Sequence, residues 1–210
     1  MSAIASPYGL KPIGALGSAA YTGGTVRAYR LTADNTIAMY LNGPVTLAAG
    51  ALNGIGATGT AGTPSVNLAL GVVVGIQYTD PVMKYTLFGQ YIPVNCITAG
   101  YTNVIVFVND DPDTLFQVQG AGSITQAVIG WNAALTFASA TIPGSSVTGI
   151  SSVSLTAPAN TDNLMMRVVD IVNQSSLAGG FSSMPGDAYT DVIVKWNFGA
   201  HIFHNHGVNV

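Results

Sequence analysis

The sequence predicts an all-β protein, a sandwich or barrel-like domain with little helix and an extended N-terminal arm. Four observations carry this. Charged residues make up only 7% of the 210 positions, against roughly 25% in an average soluble domain. All nine acidic residues are Asp and only six residues are Lys or Arg, so the side chains that favour exposed helix faces are nearly missing. The chain instead holds 25 glycines with abundant Thr, Val, Ala, Ser and Asn, the composition of short strands joined by turns. Apolar, β-branched runs recur about every 10–15 residues between turn signals, as in sandwiches and barrels.

Residues 1–25 read as an arm. Pro7 and Pro12 disfavour helix and keep the chain extended, and Gly14, Gly17, Gly23 and Gly24 keep it irregular. Tyr8, Leu10, Ile13 and Leu16 are spaced as anchors along an extended segment, which is therefore expected to lie outside the domain core and to bind elsewhere. A β-rich domain is expected over 26–200. Residues 26–31 (VRAYRL) alternate as a strand. Strand, turn and strand follow at 37–41, 42–44 and 45–47, and 49–65 is a Gly/Ala/Thr-rich loop. Residues 68–78 form a β-branched run that predicts a buried strand, with Gly71 and Gly75 at bends or bulges. Thr79, Asp80 and Pro81 turn the chain.

Further strands are expected at 87–93, 103–108, 115–119, 164–172 and 188–197, with 109–113 (NDDPD) a turn by residue type. One segment, 123–138, has near-helical spacing of Ile124, Ala127, Val128, Trp131, Ala134 and Leu135, although Gly130 and Asn132 weaken it. Residues 139–152 are a second polar loop, and 120–160 is a candidate loop-rich lobe. Residues 201–210 form a histidine-containing tail.

Several function classes are disfavoured. The longest apolar stretch, LALGVVVGI at 68–76, is too short to span a bilayer as a helix, and the first residues lack the basic and apolar blocks of a secretory signal. A net charge of −3 with scattered Lys and Arg offers no cluster to neutralise phosphates, so nucleic acid is not an expected partner. A mean hydropathy of +0.44 then reads as a surface covered by protein partners, since a surface that stays wet carries more charge.

Candidate chemistry is sparse. His201, His204 and His206 are all the histidines of the chain, and in an extended tail His204 and His206 project to one side, a pair suited to a transition metal. Asp110, Asp111 and Asp113 supply oxygen ligands suited to Ca²⁺ but lack EF-hand spacing. Asp170 and Asp187 are carboxylates that nothing in the sequence aligns, and Asp170 beside Arg167 suggests an ion pair. Cys96 has no activating charge next to it and reads as a small core residue. Trp131, Trp196 and Tyr189 read as core or interface anchors. Neither a GxGxxG nor a phosphate-loop motif occurs. The expected protein is not an enzyme and needs no cofactor.

Six blocks carry a family likeness: SPYGLKPIG (6–14), YTDP (78–81), FGQYIP (88–93), VNDDPDTLFQVQ (108–119), RVVDIV (167–172) and GDAYTDVIVKWN (186–197). Together and in this order they resemble small virion structural proteins, of the capsid decoration or cement type, from tailed phages of aquatic bacteria including cyanobacteria. The resemblance implies a β-rich knob made in the host cytoplasm and seated on the capsid exterior. There it would bind the major capsid protein and stabilise the shell by bridging its subunits. It also implies a symmetric homo-oligomer, a trimer being favoured by three-fold positions. Pro7, Tyr8, Leu10, Ile13 and Leu16 become the expected capsid-contact arm. Two other readings stay open, another virion component (tail tube, head fibre or adaptor) and a carbohydrate-binding β-sandwich module.

Overall fold

The computed structural model describes residues 4–16, 26–48, 51–56, 69–161, 164–172 and 183–197. In chain order the strands are β1 (Lys11–Ala15), β2 (Val26–Arg30), β3 (Met39–Tyr40), β4 (Pro44–Ala48), β5 (Ala51–Gly54), β6 (Ala69–Thr79), β7 (Thr86–Gly89) and β8 (Tyr91–Ile92). They continue with β9 (Thr102–Asn109), β10 (Thr114–Gln119), β11 (Asn132–Ala133), β12 (Leu135–Thr136), β13 (Ser154–Leu155), β14 (Met166–Ile171) and β15 (Asp191–Trp196). Among the described residues the one helical element is a 3-10 turn, Gln126–Val128. The protein is all-β and sandwich-like.

Two sheets dominate. One runs β1-β10-β15-β14-β11, and the other runs β2-β9-β6-β4-β5 with β7 on the far half of β6. All their pairings are antiparallel. The period of two is visible in burial: Val104, Val106 and Val108 of β9 are buried while Ile105 and Phe107 between them are only partly covered, as a pleated strand with one core face requires.

β6 separates two apolar cores. Val72 belongs to the core under the five-stranded sheet, with Phe116, Val118, Met166, Val192, Val194 and Trp196. Its neighbour Val73 points the other way, into a core with Met39, Val45, Ile92, Cys96 and Val106. Successive side chains on opposite faces explain how one strand walls both. The glycines read as irregularities behave so: the β6–β9 register shifts between Val73 and Gly75, and a Cβ on Gly71 would lie 2.2 Å from the Asn109 carbonyl oxygen, a backbone approach closed to any larger residue.

Three expectations are corrected. The segment 123–138 is not a helix. Gly130 takes φ +88° and donates its N–H to the Val168 carbonyl at 2.9 Å, so the chain joins the open edge of β14 instead. The ladder bonds of β11 with β14 and of β12 with β13 replace helical ones, and Ala133 and Leu135 still reach the core. Second, residues 120–160 are stitched to the body: Leu41 bridges Ile150, and the Ser151 N–H donates to the Leu41 carbonyl at 3.0 Å. The loop at 49–65 likewise contributes a strand, β5, paired along β4.

The third concerns the arm. The chain is extended there, but residues 11–15 form β1, hydrogen-bonded to β10, and Leu10 is fully buried among Phe116, Val118 and Val194. At the entry to β1, Gly9 adopts φ +77°, and a Cβ on it would sit 2.4 Å from the Asn42 carbonyl oxygen. Only glycine relieves both constraints. Residues 4–16 are part of the domain.

Candidate interaction surface

The hairpin joining β6 to β7 is the most apolar exposed feature of the described residues. Val82 is 84% exposed, Met83 60%, Tyr85 53% and Phe88 76%. Its shape comes from one carboxylate: Asp80 Oδ1 accepts the N–H groups of Val82 and Met83, each at 2.8 Å, the Asx arrangement expected of Asp at the head of a turn. The Asp80 backbone closes the loop, donating to the Tyr85 carbonyl at 3.1 Å and accepting from Lys84 N–H at 3.1 Å. Lys84 takes φ +62°. The Tyr85 hydroxyl donates to Met83 Sδ at 2.8 Å, so the two tip side chains brace each other.

The base is braced too. Tyr78 packs edge-on against Tyr101, with ring centroids 5.3 Å apart, and Phe88 lies opposite Gln77 in the β6–β7 register. The sequence marks the turn at 79–81 but not that residues 82–88 point outward. The one signal for it is the run VMKY immediately after a turn, three large apolar or aromatic residues around one lysine with no alternation to hide them.

The arm residues fall apart as a set. Leu10 is buried, Pro7, Tyr8 and Ile13 are partly covered, and Leu16 is 49% exposed; they do not form one contact surface. Tyr8 has a different role. Its hydroxyl and Asp191 Oδ1 are both buried, and neither completes a well-formed hydrogen bond. Burial, then the neighbouring Asp191 carboxylate, raises the Tyr8 phenol above its ordinary range. Burial also raises the Asp191 carboxyl, against the lowering effect of the nearby Tyr8 hydroxyl and Gln117 amide. Gln117 Nε2 reaches Asp191 Oδ2 at 3.4 Å. Just upstream, Ser6 N–H donates to Gln119 Oε1 at 2.8 Å, and Gln119 Nε2 to the Ile4 carbonyl at 3.2 Å.

The acidic turn is held by protein groups. Asp110 takes Arg27 Nε at 3.2 Å and the Tyr29 hydroxyl at 2.8 Å; burial, and then this bond, pushes that phenol up to about 12. Asp111 Oδ1 accepts the Asp113 N–H at 2.9 Å, while Asp113 meets Lys195 Nζ at 3.5 Å. The three carboxylates thus turn to different partners rather than toward one Ca²⁺. Among the described residues no group of three His, Cys, Asp or Glu side chains converges as a metal site; His201, His204 and His206 lie outside those residues.

Asp170 Oδ1 accepts the N–H of its own neighbour Ile171 at 2.8 Å, and Asp187 Oδ2 that of Met184 at 2.9 Å, so each serves local backbone. Cys96 is fully buried, and burial pushes its thiol up to about 11, the opposite of what a nucleophile needs. Trp196 packs edge-on against Phe116 at 5.8 Å in the core, whereas Trp131 is 38% exposed. No helix among the described residues is long and apolar enough to cross a membrane. No protein-family model, curated protein or solved structure matches the chain.

Proposed function

We propose that this chain is a non-enzymatic virion protein that decorates the exterior of a tailed-phage capsid. It binds the major capsid protein and stabilises the shell by bridging its subunits. The observation that carries the reading is the apolar end of the β6–β7 hairpin, with Val82, Met83 and Tyr85 on a turn fixed by Asp80 and Phe88 on β7, all held out to solvent. A patch of this kind on an otherwise folded protein marks a protein-binding surface. The low charge of the chain and the ordered likeness of its six blocks to decoration proteins agree with it. A symmetric homo-oligomer, with a trimer favoured, is part of the same reading.

The test is reconstitution. Shells stripped of the protein are titrated with it, followed by co-sedimentation and by the temperature at which the shells break. Saturable binding at hundreds of copies per shell, with a higher breaking temperature, is the expected result. A dozen or fewer copies would move the protein to the neck or tail, and no binding would defeat the reading.

A further inference from the structure

We infer that the 80–88 hairpin is a preformed plug that enters an apolar pocket on the major capsid protein, and that it is not the contact between copies of this chain. The inference rests on the capsid reading and names how that partner is held.

Shape comes first. Val82, Met83 and Tyr85 project from one tight turn and Phe88 from β7 just after it, and all four are more than half exposed, so the surface is convex and calls for a concave partner. Size argues against a tip-to-tip pair of copies. With roughly 150–250 Å² available from an aromatic side chain, the exposed parts of the four residues amount to roughly 500 Å². A stable pair needs about 800 Å² on each side, so the tip alone is too small to hold two copies together. It suits the centre of a larger contact, where one or two anchored side chains dominate affinity.

Charge fits the same role. Within residues 78–89 the charged side chains are Asp80 and Lys84. The Asp80 carboxylate is turned inward onto the N–H groups of Val82 and Met83, and Lys84 can keep its ammonium in water while its stem is covered. Docking therefore strips water from little more than carbon. The turn's own bonds fix the tip before binding, so little ordering entropy opposes it.

The test uses stripped shells and four proteins: wild type, Phe88→Asp, Val82→Asp, and Val147→Asp as a control at an apolar residue that is 93% exposed elsewhere. Each is checked by thermal melting and light scattering before titration. Both tip variants should fold, keep the wild-type oligomeric state and bind shells at least tenfold more weakly, with Val147→Asp unchanged. If either tip variant loses its oligomeric state, the tip is a contact between copies and the plug is wrong. If wild type binds and both tip variants bind equally well, the plug alone fails. If wild type itself does not bind, the capsid reading falls and takes the plug with it.

Discussion

The Tyr8 hydroxyl lies against the Asp191 carboxylate, two buried groups that clamp the N-terminal segment onto the face of β15 turned away from the core. The outer face of β15 carries Asp191, Ile193 and Lys195, and its inner face carries Val192, Val194 and Trp196. The groups around the clamp are Tyr8 from the segment, Gln117 from β10 and Ser183, whose Oγ accepts the Asp191 N–H at 2.7 Å. Lys11 stands opposite Gln117, Asp170 opposite Ile193, and Lys195 is paired with Asp113.

This clamp predicts an unusual pH response. The Asp191 carboxyl is raised in the folded state by burial, so between its unfolded and folded pKa values the fold holds a proton that the unfolded chain does not. Its stabilising contribution is complete below the unfolded value and is lost as pH rises through the folded one. Asp191→Asn should therefore melt higher than wild type near neutral pH, by about 1 kcal/mol, the cost of one buried unsatisfied polar group. It should also flatten the stability profile across the mildly acidic range. Urea melts at a series of pH values would show this, and a variant less stable than wild type at pH 7 would refute it.

Leu10 and Gly9 test whether the N-terminal segment belongs to the domain. Leu10→Ala should cost about 2–5 kcal/mol, as for other fully buried leucines. Gly9→Ala should be destabilising because a Cβ meets both an unfavourable positive φ and the Asn42 carbonyl. Thermal melts of the two variants decide, since a dispensable arm would leave both unchanged.

Asn35 is a fully buried polar residue that ties the segment before β3 to the end of β8 and the turn that follows it. Its Nδ2 donates to the Ile37 and Pro93 carbonyls at 2.8 and 2.9 Å, and its Oδ1 accepts the Cys96 N–H at 3.3 Å. Asn35→Ala should lose about 2–4 kcal/mol by leaving these groups unpaired. Asn35→Asp should be worse at neutral pH, because a carboxylate would face two carbonyl oxygens. Equal stability of the two variants in denaturant titrations would contradict this.

Cys96 should be silent toward thiol reagents in the native protein. It is fully buried, its thiol is raised to about 11, and only the thiolate reacts. Labelling at pH 8 should follow the unfolded fraction and become complete in denaturant. Rapid labelling of the native protein would show that the loop over Cys96 opens.

The all-β class was readable from local chemistry alone. A chain without Glu and with few Lys or Arg has little to clothe a helix, and the alternation at 26–31 and 115–119 and the short β-branched apolar run at 103–108 mark β2, β10 and β9. The turns at 79–81 and 109–113 were equally legible, since Asp and Asn bond to their own backbone. Burial against distant partners was not local. Leu10 looks like an anchor for another protein until β1 finds β10 across a hundred intervening positions. Residues 123–138 carry a near-helical spacing, yet they gain more from the unfilled edge of β14 than from a helix interrupted by Gly130. Val82, Met83 and Phe88 are as apolar as the core, and only the tertiary structure leaves them outside. Sequence pattern decided which residues form strands, but pairing and burial were decided by surfaces far apart in the chain, and these determine what remains exposed for a partner.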